Sequence, residues 1–586
     1  MRPTIVPLLA IVLTLSAGST ATGAETAAPA FRDTPARKEA RIAWWQEARF
    51  GMFIHWGIYS AAGGFWNGAR VDNMGEWIMA TGKISMADYQ AFAKGFQPTE
   101  FRAEEWVRIA RQAGMRYLVM TAKHHDGFAM FATQHSPCNV VDGTAWAKDP
   151  IKDLAAACDA QGLPLGFYYS QALDWNNGGA LSRPAWDPLQ TQDLAPYVDR
   201  VVVPQLRELL TNYGNAPRIM WWDWGSRLPG KDLNDRIHAE VRALKPDIIL
   251  NNRLSGYGDF AVNEGSTPFH GSPDQPWETC MTFNDSWGYR KDDARWKSTT
   301  ELLRTLCDTI SKGGNFMLNV GPTGTGAFPP ECVERLQEIG AWMRIHGDAI
   351  YGSSAGPFDQ PFTWGRASRK GDTVYLFVFN WPKDGHLHVP LGGTVAEAQV
   401  LGDPLAAITT ATSADGLDLT LPTTAPDPRV STIALRFTGE PQALVHHIAP
   451  GADGTLVLAA GETRVEGNSL LLSLEEPQFL HHWRTASDVL SWRVDIPRAG
   501  TYQVDMDYAC DGRNAGSTFT LSVGATTLQG AVIGGRNRDD FRRVPIGTVT
   551  LPPLAKGLVS MRITAAASSD ILRLRRLILT PIAPKP

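Results

Sequence analysis

Residues 101–131 read "FRAEEWVRIARQAGMRYLVMTAKHHDGFAMF". Phe101, Trp106, Ile109, Ala110 and Ala113 recur at helical spacing, and Gly114 ends the pattern. Tyr117–Ala122 is then a short apolar run, the mark of a buried strand. It closes on Lys123, His124, His125 and Asp126 before Gly127. A helix feeding a buried strand that ends in polar groups is half of a β/α unit.

The same unit repeats on both sides. "RFGMFIHWG" precedes it as a strand. "IKDLAAACDAQG" leads into "LPLGFYYS", and "YVDRVVVPQLRELLTNYG" into "RIMWWDWG". "LNDRIHAEVRALKP" leads into "DIILNNR", and "STTELLRTLCDTISKGG" into "NFMLNVGP"; "PPECVERLQEIGAWMRIHG" closes the series. Over some 300 residues this predicts a parallel sheet closed as a (β/α)8-like barrel spanning 35–352. No GxGxxG follows the first strand, so a dinucleotide reading has no support. The strands end at His55–Trp56, His124–His125, Tyr168–Tyr169, Asp223, Arg253 and Asn319. In a barrel these ends share one face, where active sites are built.

Beyond Gly352 the helical period stops. Short strands separated by turn residues predict C-terminal antiparallel β-sandwich domains at 357–440 and 443–586. At the other end, Arg2, an apolar run from Ile5 to Leu15 and small residues up to Ala24 have the layout of a signal peptide. Residues 1–24 would then be removed and the protein exported, to the periplasm or outside the cell. A net charge of −5 over 586 residues gives no footing for nucleic-acid or polybasic membrane binding. The six cysteines show no CxxC pair or zinc-type spacing.

Asp223, between Trp222 and Trp224 at a strand end, is the leading candidate for a nucleophile or a general acid or base. Glycoside chemistry requires a second carboxylate, and Glu76, Glu264 and Glu278 all lie near aromatics. His55, His124, His125 and Asp126 could hold a metal, fill a core or bind sugar hydroxyls. Imidazole both donates and accepts, and the twenty tryptophans can supply apolar faces for sugar rings. Adjacent residues on a strand point to opposite sides, so His124 and His125 can share a site only if the strand ends there.

Five stretches then carry a resemblance: "RFGMFIHWGIYS", "YLVMTAKHHDGFAMF", "GFYYSQALDW", "WETCMTFNDSWGY" and "GGNFMLNVGPTGTGAFPPE". Over about residues 40–440 the chain resembles the retaining α-L-fucosidases. The resemblance implies a barrel enzyme without metal or cofactor, acting on fucosylated oligosaccharides or glycoconjugates by double displacement. It implies Asp223 as nucleophile and Glu264, in "DFAVNE", as acid/base, with Glu278 as the alternative. Here the nucleophile motif reads "WWDWG", and Val262–Asn263 replace the threonine of the family's acid/base motif. Fucose-binding positions carry over as His55, Glu76, Trp77, His124, His125, Tyr168, Trp221, Arg253 and Trp287, with Glu278 beside them. Trp221, Trp287 and Phe53 would wall the fucose methyl group. The competing readings are a hexosidase for a fucose-like sugar such as L-galactose, and a non-catalytic fucose-binding protein.

Overall fold

The structure, a computed structural model, describes residues 33–177, 185–190, 193–224, 230–467 and 469–582. The expected signal peptide lies outside the described residues. No helix among those described is long and apolar enough to cross a membrane.

Eight parallel strands form the first sheet: β1 (Phe50–Ile54), β2 (Leu118–Lys123), β3 (Leu165–Tyr169), β4 (Pro217–Trp222), β5 (Ile249–Leu250), β6 (Ala261–Glu264), β7 (Trp277–Thr282) and β8 (Asn315–Val320). They are ordered β5-β4-β3-β2-β1-β8-β7-β6. The sheet curls until its two ends meet at one parallel bridge, Asn251 to Phe260. Helices α1 (Pro35–Ala48), α2 (Ala103–Gln112), α3 (Pro150–Gln161), α4 (Val203–Thr211), α5 (Lys231–Leu244), α6 (Thr299–Ser311) and α7 (Pro330–His346) surround it. Their ends follow local chemistry. Asp149 caps α3 by accepting from the Lys152 amide, Pro150 opens it, and Gly162 at φ +65° ends it.

Two departures from the sequence reading matter. First, α1 was not expected. Its buried Ile42 and Trp45 join Phe53, Tyr117, Val119, Ile219, Ile249 and Met317 in the core inside the barrel. Arg41 bonds Asp259, at 2.5 Å, and Asp33; Arg242 meets Asp259 at 3.0 Å. Asp259 lies just before β6, so α1 closes the N-terminal end. Second, β6 and β7 are strands that the helical period did not mark. No helix follows β5 or β6 (residues 251–260 and 265–276 contain none), so the alternation lapses there.

Beyond the barrel, a five-stranded antiparallel sheet (Ser354–Ala355, Gly365–Lys370, Thr373–Val378, Ser431–Ala443, Leu391–Val400) faces a three-stranded one (His386–Val389, Leu417–Thr420, Thr409–Thr412). Val374, Leu376, Leu419, Ile433 and Leu435 fill the space between them. The last β-sandwich pairs a six-stranded with a five-stranded sheet, from Leu456 to Ile582, around Trp483, Trp492, Met506 and Met561.

Candidate active site

The C-terminal ends of the strands open into a chamber of about 490 Å³. His55 reaches it from β1, His124 and His125 from β2, Tyr168 from β3, and Trp221 and Asp223 from β4. Arg253 follows β5, Glu264 ends β6, and Trp287 lies beyond β7. Glu76 and Trp77 come from the long connection after β1. Both histidines fit because β2 ends at Lys123, and the Gly127 amide then donates to the His124 carbonyl at 3.0 Å.

Asp223 is the most constrained group. Tyr168 Oη donates to its Oδ2 at 2.7 Å, and Arg253 Nη1 to its Oδ1 at 2.5 Å. The Trp224 amide donates to Oδ1 at 2.8 Å, and Trp224 itself sits at φ +54°. That left-handed geometry is uncommon for a bulky residue. Burial by itself would raise the Asp223 pKa. The charge of Arg253, with the hydrogen bonds from Tyr168 and from Arg253 itself, outweighs burial and holds it below the usual carboxylate range. Asp223 is therefore an anion in a cup that indoles, imidazoles and Tyr168 share with Arg253. Arg253 Nη2 also donates to Glu264 Oε2 at 2.6 Å, so one guanidinium bridges both carboxylates.

The histidines are neutral acceptors. Asn319 Nδ2 donates to the Trp287 carbonyl at 2.8 Å, which turns its Oδ1 toward His55 Nδ1 at 2.7 Å. His55 Nδ1 must then carry the hydrogen, leaving Nε2 with a lone pair. Ser170 fixes His125 in the same way. Its hydroxyl donates to the Leu173 carbonyl at 2.7 Å and so accepts from His125 Nδ1 at 2.7 Å. His125 Nε2 lies 3.4 Å from Asp223 Oδ2. Burial pushes His55 down to about 3 and His125 down to about 4. Two acceptors at that separation suit a hydroxyl that donates to one of them. Glu76 Oε1 and His124 Nδ1 are buried and have no partner among the described residues. Glu76 Oε2 accepts from the Gly288 amide at 2.7 Å, and burial raises this carboxyl to about 7.

The apolar wall is Phe53, Trp221 and Trp287: the Phe53 ring centre is 4.9 Å from that of Trp221 and 6.0 Å from that of Trp287. Behind the histidines Lys123 Nζ donates to Asp174 at 2.7 Å and to Tyr197 at 2.6 Å. Tyr89 donates to Asp126 at 2.8 Å. Lys123 and Asp126 thus support the turn and do not line the chamber. Trp56 and Tyr169, also at strand ends, point away. Trp56 packs against Phe101 and Trp106, and Tyr169 bonds Gln205.

Two candidate carboxylates meet surroundings unlike those their roles call for. Glu278 does not line the chamber. It points into the barrel beneath it, where Tyr117 Oη and Trp221 Nε1 donate to it at 2.5 and 3.3 Å. That placement counts against Glu278 as a binding residue or as the alternative acid/base. A general acid is kept protonated by apolar or anionic surroundings, and Glu264 has neither. Its side chain is 43% exposed and its partner is cationic Arg253. Met74, Trp224, Asn252, Val262 and Cys280 complete the lining and were not anticipated. His124, His125 and Asp223 place ligand atoms within 4.8 Å of one another, yet Arg253 already occupies Asp223 and its charge opposes a cation there.

The alpha-L-fucosidase family model matches residues 19–348, more than half of the chain. The chain belongs to the alpha-L-fucosidase family. An alpha-L-fucosidase of Dictyostelium discoideum is 30% identical over 393 residues, 61% of this chain and 83% of that protein. The crystal structure of an alpha-L-fucosidase from Vibrio sp. strain EJY3 superposes with a TM-score of 0.77 at 26% identity, covering 93% of this chain and 98% of that one. A Bacteroides thetaiotaomicron alpha-L-fucosidase, solved as a trapped covalent intermediate with 2-fluoro-fucosyl fluoride, gives a TM-score of 0.62 at 26% identity, covering 70% and 98%. This fucosidase chain is accordingly a glycoside hydrolase with a (β/α)8-like barrel and C-terminal antiparallel β-sheets.

Proposed function

We propose that the protein is an exo-acting, retaining α-L-fucosidase that releases terminal fucose from glycans through a fucosyl ester on Asp223. The observation that carries the reading is the single guanidinium of Arg253 joining Asp223 to Glu264 at the chamber. It joins an ionised carboxylate to a half-exposed one, the kind of pair that double displacement calls for. Asp223 attacks the anomeric carbon, and the glycosidic oxygen leaves with a proton from Glu264. Glu264 then takes a proton from water as that water attacks the same carbon. The Asp223 ester breaks, and fucose departs with its original configuration. The bare nitrogens of His55 and His125, with Glu76 and His124, receive ring hydroxyls, and Phe53, Trp221 and Trp287 take the C5 methyl. The covalent intermediate of the Bacteroides relative supports the ester step by analogy.

Labelling with 2-fluoro-fucosyl fluoride followed by peptide mapping is expected to place the adduct on Asp223. Azide gives the complementary assignment. Glu264→Ala with azide should yield α-fucosyl azide, and Asp223→Gly with azide the β anomer. A label on another side chain, or the reverse anomers, would overturn the roles. Export is proposed on the layout of residues 1–24. Recovery of the protein beginning at Met1 from the medium or periplasm would reject the cleavage.

A further inference from the structure

Glu264 stands on the weakest strand of the barrel. β6 has four residues, none of them fully buried. It is laddered to β7 through Ala261–Trp277, Val262–Glu278, Asn263–Thr279 and Glu264–Cys280. Toward β5 it has the Asn251–Phe260 bridge and one bond from the Val262 amide to Asn252 Oδ1 at 3.3 Å. No helix covers it. A strand this short, paired along one edge, does not hold a side chain to fractions of an ångström by itself. Proton transfer demands that accuracy, since donor and acceptor must approach to about 2.6–3.2 Å.

The chain beyond Glu264 supplies the missing support. Gly265 turns at φ +72°, and its amide donates to the Cys280 carbonyl at 2.9 Å. Thr267 then meets Thr309 of α6, hydroxyl to hydroxyl, at 2.9 Å. Lys312 Nζ donates to the Pro268 carbonyl at 2.8 Å while holding Asp308 at 2.7 Å. Phe269 leaves the barrel altogether: it is 8% exposed and belongs to the hydrophobic core of the last β-sandwich. His270 Nε2 donates to the carbonyl of Val465, in that same domain, at 2.6 Å. Burying one phenylalanine stabilises by roughly 2–3 kcal/mol, enough to fix a tether of five residues that spans at most about 17 Å.

We infer that the last β-sandwich is part of the catalytic apparatus, with Phe269 and His270 as positioning residues that aim Glu264. This rests on the acid/base reading of Glu264. Loosening the anchor should act on the proton delivered to the leaving oxygen and spare attack by Asp223, which stands on β4. A misplacement of about 1 Å costs on the order of 100-fold in a positioned step.

The test is a leaving-group series on the full chain, reading kcat/KM, which reports the first chemical step. Phe269→Ala is expected to lower kcat/KM about 10-fold or more on fucosides of alcohols and sugars, which need protonation to leave. On a dinitrophenyl fucoside, which leaves as a stable anion, the loss should stay below about 2-fold. His270→Ala should show the same split. His270→Gln, whose amide can still donate to the Val465 carbonyl, should abolish the split and restore the rates, and this pair serves if Phe269→Ala does not fold. Glu264→Gln is the reference. If it splits the series and the anchor variants lose equally on all substrates, or lose nothing, the inference is overturned. If Glu264→Gln itself gives no split, the acid/base reading falls and the inference with it.

Discussion

Tyr168, on β3, donates its phenolic hydrogen to Asp223, at the end of the neighbouring β4, across 2.7 Å. Removing it withdraws one of the hydrogen bonds that offset burial of the carboxylate. Tyr168→Phe should therefore raise the Asp223 pKa and move the acid limb of the kcat/KM profile to higher pH. A loss on the order of 100-fold at the optimum is expected, the lower end of what one positioned donor is worth at a site of changing charge. A pH–rate profile on an aryl fucoside measures both.

Ser170→Ala should shift the same limb the other way. Without Ser170 Oγ, His125 Nδ1 loses the acceptor that fixes its tautomer. The ring can then carry its hydrogen on Nε2 and donate it to Asp223, 3.4 Å away. That stabilises the anion, lowers its pKa and blunts it as a nucleophile. The acid limb should move to lower pH while kcat falls about 10-fold. A shift in the same direction as Tyr168→Phe would reject the tautomer argument.

Gly127→Ala should cost stability before it costs chemistry. A Cβ there would sit 1.8 Å from Asp174 Oδ1, at φ +73°. Asp174 is the buried partner of Lys123 and Tyr197. Displacing it strands a buried ammonium, so a loss of about 3–5 kcal/mol is expected in urea denaturation.

Glu278 makes stability depend on pH. Burial raises its carboxyl from 4.5 to about 7 against the bonds from Tyr117 and Trp221. The folded state therefore binds a proton that the unfolded state has released. This group's contribution is fully present below pH 4.5 and is lost as pH rises toward 7. Glu76 and Asp126, both raised to about 7 by burial, add to the same trend. Glu278→Gln should flatten the fall of Tm across that window by about 3 kcal/mol equivalent. An unchanged slope in thermal scans at pH 5 and 7.5 would refute it.

The sequence made the barrel legible where strand and helix alternate, and it made the chamber legible because polar groups at the ends of buried strands need a reason to be there. It was silent where periodicity lapses. β6 and β7 have no helix between them, and β6 is too short and exposed to read as a core strand. Glu278 misled because alternation along β7 points it inward, and inward there means the barrel interior below the chamber. Ser170 and Asn319 set tautomers through hydrogen bonds that no spacing rule encodes. Phe269 looked like a loop residue, since its partners lie some 200 positions later in the chain.

Residues 251–276 bring no helix to the barrel wall, and a domain from the far end of the chain takes hold of that stretch through Phe269 and His270. Trimming the polypeptide after its first β-domain would thus not give a smaller version of the same catalyst. It would strip Phe269 of its apolar cover on the loop that leads from Glu264, and an engineer wanting a minimal enzyme would have to redesign residues 265–276 before shortening anything.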